Sequence, residues 1–210
     1  RAPDFDGVEI EEFDGRSDES VGETAVIDLP FETQFYGRTF NQISICTNGY
    51  ICMGDQGEIT NFQNWPMDEA IGGGMGMIAP FWDWLKLGEN GKVYTYYDQD
   101  EHYFIIEWYK LRHKQGGNTD LTFQVILYDH AVWVTESGDQ NILFQYKSII
   151  QSRGSGRDWI DAVPYASVGI SSVDGTTGIN YTFNNEYPVT SARLENQRAL
   201  FFSTSPRYKA

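Results

Sequence analysis

Oxygen-bearing side chains at short spacing are the first residues in this 210-residue chain able to do chemistry. Asp4 and Asp6 precede Gly7, with Asp14, Asp18 and Glu19 close behind, and Asp98, Asp100 and Glu101 make a second acidic turn. Carboxylates spaced along an irregular segment suit a hard cation, which makes calcium the cofactor candidate. Neither stretch has the spacing of a twelve-residue calcium loop, so a solvated acidic surface is the competing reading. If calcium binds, the N-terminal set is its first expected site. Tryptophan supplies the other binding chemistry, because an indole can stack on a sugar or anchor a protein interface. Trp65, Trp84, Trp133 and Trp159 fall in or beside irregular segments and are the candidate ligand-binding residues, with plain packing under a loop as the alternative for each. Trp82 and Trp108 fall within strand-like blocks and read as core.

Catalytic constellations are not evident. Gly154-Ser155-Gly156 lacks the flanking pattern of a nucleophile elbow. His102, His113 and His130 have no metalloprotease spacing, and Gly72–Gly76 lacks the Lys and Ser or Thr of a phosphate loop. The expectation is a protein that is not an enzyme. Asn180-Tyr181-Thr182 is a formal glycosylation sequon on an expected strand.

The net charge of −15 sets this chain against polyanions, so nucleic acid is excluded as a partner. More than half of that charge lies in residues 1–28, where ten acids face only Arg1 and Arg16. The one basic cluster, Lys110, Arg112, His113 and Lys114, reads as the decoration of a strand end or loop. No run of about 18 apolar residues occurs, so no transmembrane segment is expected. The sequence opens at Arg1 without a leader, as expected of a mature or excised portion of a longer chain.

The elements that must position these residues are strands. Aromatics make up 15% of the chain and Gly numbers 21, a composition that favours pleated surfaces joined by tight turns. Leu121, Phe123, Val125 and Leu127 alternate with polar neighbours, and Asn48-Gly49 between Ile43/Ile45 and Tyr50/Ile51 is the strongest hairpin signal. Nine or ten strand candidates recur without an amphipathic helix, which predicts an all-β fold: an antiparallel β-sandwich of two sheets with long crossing loops and little or no helix. Residues 1–27 form an acidic segment, as an edge strand or extension, and 28–210 form the sandwich. Segments 55–79, 128–141 and 151–165 break the strand rhythm, and loops of that length are often functional. Cys46 and Cys52 flank the Asn48-Gly49 turn. Depending on the register they face each other as a disulfide, or they are two buried thiols.

Leu29-Pro30-Phe31 through Phe35-Tyr36-Gly37-Arg38-Thr39-Phe40, then Ile43–Ile51, resembles the start of nidogen-like β-sandwich domains. Ile78-Ala79-Pro80-Phe81-Trp82-Asp83 and Gly91-Lys92-Val93-Tyr94-Thr95-Tyr96 continue the likeness, as do Ile105–Trp108, Thr122–Leu127, Ile142–Tyr146, Ala166–Ile170 and Gly178–Asn185. Single blocks merely encode strands, but eight in order over residues 28–203 are specific. The later blocks are similar to a bacterial version that serves as an accessory domain of secreted proteases and surface proteins. Trp84 stands where many members carry Asp, and residues 1–27 fall outside the likeness. The resemblance implies an extracellular or cell-surface module for binding or adhesion, recognising protein or glycan through its long loops. The alternative is a structural protomer or spacer contacting other domains or neighbouring surface subunits, and a secreted hydrolase comes third.

Overall fold

The computed structural model describes residues 22–69, 73–114, 119–149 and 165–205, together with the backbone of 8–9. Among these residues there is no helix. Twelve strands form: β1 (Val8–Glu9), β2 (Thr24–Phe35), β3 (Arg38–Cys46), β4 (Tyr50–Met53), β5 (Met77–Trp82), β6 (Leu85–Asp98), β7 (Tyr103–His113), β8 (Leu121–Tyr128), β9 (Ile142–Ser148), β10 (Ser167–Ser171), β11 (Gly178–Thr182) and β12 (Ala199–Phe202). They make two six-stranded antiparallel sheets, the first in the order β1-β6-β7-β8-β9-β12 and the second β11-β10-β5-β4-β3-β2. This is the expected two-sheet sandwich. β1 extends the first sheet at its β6 edge, and β2 starts at Thr24.

Period-two alternation assembles the core. Phe104, Ile106 and Trp108 of β7, with Phe123, Val125 and Leu127 of β8, face Ile43, Ile45, Ile51 and Ile78 of the second sheet in one buried cluster. Trp108 stacks on Phe123 with 5.2 Å between ring centroids, and its indole N–H donates to the Cys46 carbonyl at 2.9 Å. The buried indole thereby gains apolar packing and a partner for its polar atom.

The Asn48-Gly49 hairpin forms as expected, but inside the molecule. Asn48 is fully buried. Its side-chain oxygen accepts from Leu85 N–H at 3.1 Å, and its side-chain nitrogen donates to the Thr60 carbonyl at 3.0 Å. Gly49 has φ +82, and a Cβ there would lie 2.0 Å from the Phe81 carbonyl oxygen. Only glycine meets both demands.

The second sheet carries a further apolar cluster on its outer side. Cys46, Tyr50, Cys52, Met77, Ala79 and Trp82 lie there, covered by Met67 and Ile59 from the segment joining β4 to β5. That segment is tied down by its own carbonyls: Trp82 Nε1 donates to Asn61 at 2.9 Å, Tyr50 Oη to Ile59 at 3.3 Å and Ser167 Oγ to Trp65 at 2.6 Å. Trp82 is core, as expected, but it belongs to this outer cluster. The register sets Cys46 opposite Tyr50 and Cys52 opposite Ser44, so the cysteines are diagonal neighbours on one face. Both are free, buried thiols, and desolvation pushes both upward in pKa.

Candidate functional site

The outer face of the first sheet has a different composition. Register places Tyr96 beside Ile105, Ile105 beside Ile126, Ile126 beside Leu143 and Leu143 beside Phe201. One apolar row therefore crosses β6, β7, β8, β9 and β12. Outward positions on a solvated sheet are normally polar, and this row is not. Its central members, Ile105 at 1% and Ile126 at 5% exposure, are as buried as core residues, yet they belong to neither buried cluster.

Aromatic rings flank the row on the side of the β7 N-terminus. Tyr103 and Tyr128 are cross-strand partners with centroids 5.8 Å apart. Tyr128 also meets Trp133 at 5.3 Å and Phe201 at 6.3 Å. All three contacts are edge-to-face, the arrangement ring quadrupoles prefer. Trp133 reaches this face from the segment after β8, where Asp129 caps the turn by accepting from Ala131 N–H, and the Trp133 indole donates to the Glu101 carbonyl at 2.9 Å. Tyr96 and Phe201 remain exposed, and Trp133 is 41% exposed. Desolvation first, and then the Asp98 carboxylate, push the Tyr103 hydroxyl up to about 12, so it is a neutral donor.

A polar row runs along the other flank. By register Tyr94, Glu107, Gln124, Gln145 and Ala199 follow one another. Gln124 Nε2 donates to Gln145 Oε1 at 2.6 Å. Burial pushes the Glu107 carboxyl up to about 7 against the opposing pull of Lys147. Rings, amides and one hard-to-ionise carboxyl together make a surface able to recognise a partner.

The three of the four expected tryptophans that lie among the described residues do not share a platform. Trp133 joins the aromatic face. Trp84 lies past β5, stacked on Phe62 at 4.6 Å, and its carbonyl accepts from Lys114 beyond the far end of β7. The eleven residues of β7 put about 35 Å between those two ends. Trp65 is exposed on the segment that covers the second sheet, and Trp159 lies outside the described residues. Asp4, Asp6, Asp14 and Asp18 also lie outside them. Asp98 Oδ1 accepts from the Asp100 and Glu101 backbone N–H groups, so that turn closes on itself. Among the described residues no three His, Cys, Asp or Glu side chains gather as a metal site.

Sequence reasoning missed the tyrosines, Glu107 and the apolar row. The available signal was the outward half of each strand, where Tyr94, Tyr96, Tyr103, Ile105, Ile126 and Leu143 replace the usual polar residues. At the far end of β7, His113 Nδ1 lies 3.2 Å from Asp83 Oδ2, with the edge of Phe81 alongside. Arg112 pairs with Asp120 at 2.7 Å, so part of the basic cluster is consumed internally.

A family model described as NIDO related matches residues 7–206. No curated protein and no solved structure matches the chain.

Proposed function

The chain belongs to the nidogen-related domain family, and from that premise we propose that it is a non-catalytic extracellular recognition module that binds a protein partner through the outer face of its first sheet. The family is a non-enzymatic, extracellular type of domain. The observation that carries the reading is the five-strand apolar row flanked by half-exposed tyrosine and tryptophan. The row's centre is already buried, so the surface on offer is its exposed aromatic positions, Tyr96, Phe201 and Trp133, and aromatic anchors beside a polar rim are the anatomy of a protein interface. The net charge of −15 and the rim acids Asp98, Asp100 and Glu101 favour a partner with a cationic rim.

The segment joining β4 to β5, first expected to be a recognition loop, serves in this reading as the cover of the second sheet. Recognition falls instead to the opposite sheet and to Trp133. The experiment is an array of immobilised extracellular proteins and neutral glycans, probed with the wild type, a Tyr96→Ser/Phe201→Ser double variant, Trp133→Ala, and Ile179→Ser as an exposed control on the second sheet. Anchors of this kind carry about 2 kcal/mol or more, so the face variants should bind about 30-fold more weakly while the control is unchanged. Unaltered binding by both face variants overturns the proposal, and signals confined to glycans replace the protein partner with a sugar.

A further inference from the structure

Exposed apolar side chains are ordinary when they stand singly, and most of those on this chain do. Ala131, Val132, Trp133 and Val134 do not: they are exposed one after another in the segment between β8 and β9, with Val132 at 51% and Val134 at 74%. Among the described residues this is the one place where exposed large apolar side chains are consecutive. Such a run invites association and belongs to a protein surface only where something binds it. It also has a fixed shape. The Asp129 carbonyl accepts from Val132 N–H at 3.1 Å and from Trp133 N–H at 2.8 Å, and its carboxylate accepts from Ala131 N–H at 2.9 Å. Asp129 N–H donates in turn to the His102 carbonyl at 3.0 Å. Beyond the run, the buried Thr135 hydroxyl donates to the Asp139 carbonyl at 2.6 Å. The tip is clamped at both ends.

We infer that Val132-Trp133-Val134 is a preformed apolar plug that enters a pocket on the protein partner, and that Lys or Arg side chains rim that pocket. This rests on the first sheet's outer face being the recognition surface, since the Trp133 ring joins the plug to that face through Tyr128, 5.3 Å away. Valine loses little freedom on docking, because branching at Cβ already restricts its rotamers. The bonded backbone leaves little else to order, and burial of two largely exposed valines drives association.

Charge decides between a protein pocket and the other apolar partner open to such a tip, a lipid bilayer. Residues 98–102 and 129–141 frame the plug. They hold Asp98, Asp100, Glu101 and Glu136 at or near the surface and no Lys or Arg. A segment that inserts at a lipid surface carries Lys or Arg beside its apolar residues to meet anionic headgroups. Acids in those places turn the plug away from such a surface. They attract a cationic rim instead, and they steer it during approach.

The test uses the whole chain and the array proteins that the wild type binds, with association and dissociation rates measured by surface plasmon resonance. Val132→Ser/Val134→Ser changes only exposed side chains, and thermal melts establish that it is folded. It should bind about tenfold or more weakly, mainly through faster dissociation, while Ile179→Ser is unchanged. Asp100→Lys/Glu136→Lys should associate severalfold more slowly, with a weaker dependence on NaCl. Neither the wild type nor the valine variant should sediment with phosphatidylcholine vesicles, with or without phosphatidylserine. Unchanged affinity in the valine variant overturns the inference, and unchanged or faster association by the lysine variant overturns the cationic rim. Vesicle binding by the wild type that the valine variant loses replaces the pocket by a lipid surface. If Tyr96→Ser/Phe201→Ser weakens array binding and the valine variant does not, the recognition face stands and the plug alone falls. The reverse pattern leaves the plug and removes the sheet face, and a wild type that binds no array protein overturns both.

Discussion

Replacing Met67 by alanine tests whether the segment between β4 and β5 is a structural cover. Met67 is fully buried although it belongs to no strand, and it packs among Cys46, Tyr50, Cys52, Met77 and Trp82. Its backbone N–H donates to Asn180 Oδ1 at 3.2 Å, a bond alanine keeps, so the change removes side-chain packing alone. Truncation of a buried methionine costs about 2–5 kcal/mol, and the lower half applies where a loop can settle into the gap. About 2–3 kcal/mol lowers the melting temperature of a chain this size by roughly 4–12 °C. Met75→Ala on the same segment is the control. That side chain is 59% exposed, and the expected change is within about 0.5 kcal/mol. Thermal and urea melts measure both. A second readout is native-state reaction of Cys46 and Cys52 with a thiol reagent, which should be slow in the wild type and faster in Met67→Ala. Equal, small effects for Met67→Ala and Met75→Ala would refute the reasoning and return the segment to the surface as a loop free to bind.

Gly49→Ala should cost about 3 kcal/mol or more in urea melts, because left-handed strain adds to collision with the Phe81 backbone. Gly37→Ala has a similar φ of +73 with nothing within 4 Å of the new methyl, and it should cost about 1 kcal/mol. Comparable losses would show that crowding at Gly49 is unimportant. Glu107 binds its proton more tightly folded, with a carboxyl near 7, than unfolded, near 4.5, so the native state loses stability as pH rises from about 4.5 to 7. Urea melts at pH 5 and pH 8 should show Glu107→Gln gaining about 2–3 kcal/mol on the wild type across that interval, and parallel pH profiles would refute it.

The two-sheet architecture was legible because it follows from local rules. Side chains alternate across a strand, Asn-Gly closes a hairpin, and the inward sets Phe104/Ile106/Trp108 and Phe123/Val125/Leu127 are visible as every second residue. The irregular lengths of 55–79 and 128–141 were visible too, and so was the likeness to nidogen-type domains. Where those irregular segments lie was not, since Met67 reads as an ordinary loop residue until the outer side of the second sheet is found beneath it. The apolar row of the first sheet was hidden for the same reason. Tyr96, Ile105, Ile126, Leu143 and Phe201 are scattered over more than 100 positions, and each looks like a second apolar residue in an already apolar strand. Only the order and register of five paired strands align them. Alternation decides which residues share a face of one strand. Long-range pairing decides which strands stand side by side, and so what chemistry that face presents.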